Sequence, residues 1–311
     1  MSVRDSAPGG LLAADIGGTN ARFAWIGNDG IPGPVIQYAT ADFPSPEEAI
    51  SAVIADSKQE PRRVGLAAAG PVDDGVCKLT NADWHIDTRS LQRHFGLDRV
   101  VLLNDMEAVA LALPHLPAED LCHLAGPTEA KGPRLAIGLG TGVGTAVLAA
   151  DSAVLAAEGG HVSWASLDLE EATLLARIAG EQDYLAAETV LGGTGLSRLY
   201  AALNETAPRL TSEQVFDRRN TDPDAAHAIT LLTRMLGRFS GDAVLMTGAR
   251  GGLYFAGGIL TAWGDAFDIA AFREAFLNKG RFRSYLEQVP IKLITGTDPA
   301  ILGVGALLHN H

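Results

Sequence analysis

The sequence predicts a two-domain α/β protein with a cleft between the domains, and three observations carry that prediction. Apolar, strand-like runs alternate with helical ones and end in glycine or in a lone polar pair. The pattern of apolar run, Gly-rich turn and apolar run occurs twice, at 11–26 and at 135–148, which is a weak internal repeat. A mainly helical stretch, 167–245, follows the second occurrence. Strands and strand–helix units that recur with a helical insert fit two α/β layers. A chain of 311 residues is long enough to bury two cores.

Residues 11–16 and 21–26 read as strands joined by Gly17-Gly18-Thr19-Asn20, because paired Gly at a tight turn signals a hairpin. Residues 35–39 add a third strand. Ser45-Pro46-Glu47-Glu48 opens a helix with a capping box and Pro at the first helical position. Strands follow at 63–69, ending at Gly70-Pro71, and at 76–79, and a short helix at 87–95 is closed by Gly96. Val100-Val101-Leu102-Leu103 is a buried strand, and a helix of Ala, Leu, Met and Glu runs on to Pro114. The stretch 114–133, with its Pro, Gly and acidic residues, reads as the crossing between domains. The helical stretch has caps at Ser166 and Asp222-Pro223 and stops at Gly180 and Gly192-Gly193. A strand at 253–256 meets Gly257-Gly258, and a last strand, 291–294, precedes a last helix, 299–308. The expected domains are 1–113 plus about 297–311, and 114–296.

Composition removes several functions. A formal charge of −13 with no basic cluster argues against nucleic acid, whose phosphates need Lys and Arg. No apolar run nears the roughly 20 residues that span a bilayer. Arg4, Asp5 and Pro8 ahead of the first strand do not form a signal peptide, so the cytoplasm is the expected compartment. Cys77 and Cys122 alone make neither a disulfide framework nor a zinc site. The run Gly138 to Gly144 is not a dinucleotide fingerprint, since Thr145-Ala146-Val147-Leu148 continues as strand where a helix is required. A P-loop is absent as well.

The remaining signals are polar residues at strand ends and in turns. Gly allows close backbone approach, and successive N–H groups form an anion nest. Two such turns, each with a threonine (Thr19 and Thr141) and one beginning at Asp15, favour nucleotide phosphates over ordinary hairpins. Asp15 would then help to hold Mg²⁺ through water, since Mg²⁺ keeps much of its hydration. Asp105 ends a buried strand where α/β sheets place ligands, yet a helix cap is the simpler reading of that residue alone. Glu158 and His161 fit a solvated loop or, with more ligands, a zinc site, and Glu188 fits a helix surface.

Taken as an ordered set, the motifs are specific. They are Ala14-Asp15-Ile16-Gly17-Gly18-Thr19-Asn20-Ala21-Arg22, Leu103-Asn104-Asp105, Gly140-Thr141-Gly142-Val143-Gly144 and Glu158-Gly159-Gly160-His161. Ala187-Glu188-Thr189-Val190-Leu191, Ala256-Gly257-Gly258-Ile259 and Lys279-Gly280-Arg281-Phe282 complete it. With them the chain resembles the bacterial glucokinases that lack the zinc-binding Cys cluster of the repressor/kinase relatives. Those proteins have the two-domain, actin-like (ribonuclease H-like) ATPase fold with an interdomain cleft.

The resemblance implies phosphorylation of glucose at its 6-hydroxyl by ATP and Mg²⁺, in a cytoplasmic homodimer. By the same resemblance Asp105 is the catalytic base, and Asn104, Glu158, His161 and Glu188 bind sugar hydroxyls. Ala14, Asp15, Ile16, Gly17, Gly18 and Thr19, with Thr141 and Gly142, take the phosphates, and Gly257 and Gly258 border the adenosine. Leu191-Gly192-Gly193-Thr194-Gly195 departs from the family's usual Ser-Gly-Pro-Gly. A kinase of the same fold for fructose, mannose or an amino sugar is an alternative. A non-catalytic sugar sensor is another, but regulators of this fold carry an N-terminal DNA-binding segment, for which a first strand at Leu11 leaves no room.

Overall fold

A computed structural model describes residues 10–79, 82–204, 206, 208–296 and 298–310, so Arg4, Asp5 and Pro8 lie outside the described residues. The chain divides into two compact units, Met1–Ala118 with Gly296–His311, and Glu119–Thr295. No helix among the described residues is long and apolar enough to cross a membrane.

The first unit runs β1 (Leu11–Ile16), β2 (Asn20–Ile26), β3 (Ile36–Ala39), α1 (Pro46–Ser57) and β4 (Arg63–Ala68). It continues through β5 (Val72–Asp73), β6 (Val76–Lys78), β7 (His85–Asp87), α2 (Thr88–Phe95), β8 (Arg99–Asn104) and α3 (Asp105–Ala112). Its main sheet has the order β3-β2-β1-β4-β8, and β5, β6 and β7 form a small separate one. β1 is antiparallel to β2 and parallel to β4, which is parallel to β8. β1 and β4 are apolar along nearly their whole length, as strands covered on both faces must be. Leu12, Ala14, Ile16, Phe23 and Leu66 join Ile50 and Val53 of α1 in one core. Ser45 caps α1 by accepting the Glu48 N–H, but only this half of the expected capping box forms. Asp87 caps α2, which Gly96 ends at φ 64°.

The second unit holds β9 (Leu121–Ala125), β10 (Arg134–Leu139), β11 (Val143–Leu148), β12 (Val154–Ala157), α4 (Leu169–Ala179), α5 (Ala187–Val190), α6 (Gly192–Leu203), α7 (Ser212–Asp217) and α8 (Pro223–Thr247). After them come β13 (Gly252–Ala256), α9 (Gly258–Trp263), α10 (Ile269–Leu277), α11 (Arg283–Leu286) and β14 (Ile291–Ile294). Its sheet has the order β12-β11-β10-β13-β14-β9, and the first five strands repeat the plan of the first unit, hairpin then parallel pairs. The repeat seen in the sequence is thus one of topology.

Four expectations are corrected here. Part of 114–133 is not a crossing but β9, which pairs antiparallel with β14 at the edge of the sheet. β12, another edge strand, was not foreseen. Asp168, not Ser166, caps α4, accepting the Glu171 N–H at 2.9 Å. Gly192-Gly193 does not stop a helix but begins α6.

The last helix, α12 (Pro299–Asn310), returns to the first unit and packs on α3, β1 and β4. The approach to α3 is close enough that a Cβ on Gly303 would lie 1.8 Å from the Ala108 carbonyl oxygen. Two backbones must part to admit a methyl group there, so Gly303→Ala is expected to destabilise the protein by about 1–3 kcal/mol. Urea unfolding measures it.

Candidate active site

Parallel pairing puts the carboxyl ends of three strands of the first unit at one edge. Asp15 pairs with Ala67, Ile16 with Ala68, and Ala68 with Asn104. The side chains of Ala14 and Ile16 are fully buried, whereas the Asp15 side chain is 23% exposed. Arg22, one strand over, places Nη1 at 3.5 Å from Asp15 Oδ2 and Nε at 3.5 Å from Asp298 Oδ1. Its Nε also donates to Gln37 Oε1 at 3.0 Å. Burial lifts the Asp15 carboxyl from 3.8 to about 6; Arg22 offsets part of the rise, while the charges of Asp105 and Asp298 add to it. Asp15 and Asp298 therefore share one guanidinium with the charge of Asp105 acting on Asp15, an excess of negative charge suited to a cation.

Asp105 is not the helix cap. Asn104 takes that position, its Oδ1 accepting the Met106 N–H at 2.9 Å, while Glu107 Oε2 accepts the Asn104 N–H. Asn104 Nδ2 also donates to the Gly70 carbonyl at 3.1 Å, so half of the amide's capacity goes to holding it in place. Asp105 is the first residue of α3, and its Oδ1 accepts the Met106 N–H. The turn Gly17-Gly18-Thr19 is fixed by Thr40, which the sequence did not single out. This buried residue donates its N–H to Thr19 O at 2.9 Å and its hydroxyl to Gly17 O at 2.8 Å.

In the second unit a buried threonine does similar work. Thr145 on β11 donates its hydroxyl to Ala157 O and accepts the Gly159 N–H, clamping the start of Glu158-Gly159-Gly160-His161. Gly160 lies so close to β11 that a Cβ would meet Val143 O at 2.0 Å. Beyond the 3-10 turn Gly159–His161, Val162 O accepts the Ala187 N–H, which draws α5 alongside. Glu188 consequently sits beside the loop: Oε1 is 3.7 Å from His161 Nε2, and Oε2 accepts the Val143 N–H at 3.4 Å. The plain helix-surface reading of Glu188 fails. Glu158 and His161 are exposed. No group of three or more His, Cys, Asp or Glu is arranged to hold a metal among the described residues.

A cavity of about 1440 Å³ opens in the same unit, with Gly140, Thr141, Thr194, Phe216, Gly258 and Trp263 in its wall. The β10–β11 turn is joined to α6 there. Gly193 donates to Gly140 O at 2.9 Å, and Thr194 donates both N–H and hydroxyl to Thr141 O. The first N–H groups of α6 are thus spent on the hairpin. Gly257, at φ 100°, lies where a Cβ would be 2.3 Å from Leu139 O. Phe216 stacks on Trp263 with centroids 5.3 Å apart, and Arg219 lies 4.2 Å above Phe216. No sequence motif marked this aromatic wall.

Comparison with known proteins gives matches along nearly the whole chain. The pattern of the family described as Glucokinase matches residues 12–311. A glucokinase of Erwinia tasmaniensis is 36% identical over 310 residues, covering 96% of each chain. The crystal structure of a glucokinase from an Antarctic psychrotroph superposes with a TM-score of 0.87 at 33% identity, covering 97% of this chain and 99% of that one. A ROK family glucokinase from Streptomyces griseus, solved with glucose and AMPPNP, shares the fold at 21% identity and a TM-score of 0.68, covering 96% of this chain and 99% of that one.

The Asp15 carboxyl titrates at about 6 in the folded chain against 3.8 for the free side chain. Between those values the folded state holds a proton that the unfolded chain has released, so stability falls as pH rises through the window. Asp15→Asn removes that loss. In metal-free buffer it is expected to stabilise the protein at pH 7 by up to about 3 kcal/mol. The gain should shrink toward zero at pH 4, as urea unfolding across this range would show. A difference independent of pH would refute the assignment.

Proposed function

We propose a division of labour within this chain, which belongs to the glucokinase family, has the actin-like ATPase fold and phosphorylates glucose with ATP. The observation that carries the proposal is the carboxylate edge of the first unit, where Asp105 stands within electrostatic reach of the desolvated Asp15. Asp105 accepts the proton of the sugar 6-hydroxyl. The new bond joins that oxygen to the terminal phosphorus of ATP, and the bond from this phosphorus to the bridging oxygen breaks, leaving ADP.

An ordinary aspartate, with a pKa of about 3.9, cannot strip an alcohol of its proton in advance. Phosphoryl transfer passes through a loose transition state with little bonding to the nucleophile, and the hydroxyl turns acidic only as that bond forms. Asp105 therefore orients the hydroxyl first and takes the proton late. Positioning and charge neutralisation supply most of the rate.

Asn104, Glu158, His161 and Glu188 bind the sugar hydroxyls. An acceptor held in place, as Glu188 is by the Val143 N–H, loses a bond when a hydroxyl is missing. The Gly17-Gly18-Thr19 turn and Thr141 take phosphates, and the cavity behind Gly258, with Phe216 in its wall, takes the adenosine. The excess negative charge around Asp15, without a closed set of metal ligands, suits hydrated Mg²⁺, which neutralises phosphate charge when bound. A cytoplasmic homodimer belongs to the same proposal and rests on the family alone.

Asp105→Asn is expected to lower kcat about 10²- to 10⁴-fold while glucose still binds. A variant with near-normal turnover in a coupled ADP-release assay would remove Asp105 from the mechanism. Glu158→Gln and His161→Ala are expected to raise KM for glucose and leave KM for ATP alone. A hexose panel in the same assay identifies the preferred sugar.

A further inference from the structure

We infer that Gly142 is a positioning residue for the sugar, whose missing side chain makes room for the Glu188 carboxylate, and that it is not a phosphate contact. The inference rests on the sugar-binding role of Glu188. A glycine in a turn answers to a left-handed backbone, a protein neighbour too close for a Cβ, or a ligand that needs the bare backbone. The first does not apply, because Gly142 is not among the glycines of positive φ. The second does. A Cβ on Gly142 would lie 2.4 Å from Glu188 Oε2 and 3.4 Å from its Cδ.

The surroundings decide which side would yield. The turn is tied to α6 by the bonds from Gly193 and Thr194 to the carbonyls of Gly140 and Thr141. Gly192 leaves no slack behind it, since a Cβ there would meet the carbonyl oxygens of residues 140–142 at 2.9–3.2 Å. α5 is anchored by buried Ala187 and Val190 and by the bond to Val162 O. Both backbones are fixed, so the free end of the Glu188 side chain is what moves. A methyl group on Gly142 would spare the fold and displace the carboxylate from the Val143 N–H and from His161. Thr141 is in the wall of the large cavity and Gly142 faces Glu188, so adjacent residues of one turn serve different ligands.

The test is a double-mutant cycle on the full chain, with KM for glucose and for ATP, kcat and thermal unfolding measured for Gly142→Ala, Glu188→Gln, Glu188→Ala and the pair of alanine variants. Gly142→Ala is expected to raise KM for glucose about 10- to 100-fold, the worth of a hydrogen bond to a charged group. KM for ATP should stay within about twofold, and the effect on glucose should vanish when Gly142→Ala is made on Glu188→Ala, which takes away both the carboxylate and the clash. A rise in KM for ATP with glucose unchanged, or no change in either, overturns the inference. Should Glu188→Gln itself leave glucose unaffected, the sugar role of Glu188 is what fails. Should Glu188→Gln weaken glucose and Gly142→Ala not, only the positioning role fails. If Gly142→Ala does not fold, Gly142→Ala with Glu188→Ala must restore folding, and its failure to do so also overturns the inference.

Discussion

The parallel register of β1, β4 and β8 is the constraint on which the chemistry of the first unit depends. Side chains along a strand alternate between faces, so a slip of one residue would exchange Asp15 with the buried Ala14 or Ile16. The register is held by apolar pairs such as Leu12 with Val64 and Leu66 with Leu102, which lose their burial if the strands move. That hydrophobic cost dominates the unfavourable burial of one carboxyl. A carboxylate can therefore stay desolvated at the strand end, with Arg22 as its partial counter-charge.

The second unit applies the same sheet order to a different end. Its hairpin carries no carboxylate at the strand end, since Gly138 is the penultimate residue of β10 as Asp15 is of β1. The acidic group comes instead from α5, brought alongside by the bond between Ala187 and Val162. In both units a buried threonine hydroxyl holds the loop that bears polar residues, Thr40 in the first and Thr145 in the second. Buried hydroxyls tolerate such places only when bonded, so the loops and their clamps are energetically tied.

Much of this was legible because local and global preferences agree. β1 and β14 are short apolar runs bounded by turn residues, and Gly96 and Asp222 end and start helices by local chemistry alone. Two of the misreadings, at α6 and β9, share one cause, a partner distant in sequence. Gly192-Gly193 looks like a helix stop, yet α6 starts there because the carbonyls of Gly140 and Thr141 accept its first N–H groups. β9, with exposed Cys122 and His123, has little apolar pattern and is a strand only because β14 offers it an edge. At the site, Asp105 and Glu188 read as an ordinary cap and an ordinary surface residue. Motif resemblance pointed to both, whereas Thr40, Thr145 and the Phe216–Trp263 wall have no signal short of the folded chain.

The return of α12 to the first unit bears on how the molecule is made. β1, β4 and α3 emerge early from the ribosome, but the helix that covers them, with Val304 and Leu308 against Gly65, is translated after the whole of Glu119–Thr295. The middle of the chain is contiguous and can collapse while the start still waits with an apolar face bare. For the length of that delay the nascent chain is a natural client for a chaperone, and the loss of α12 would damage the unit made first.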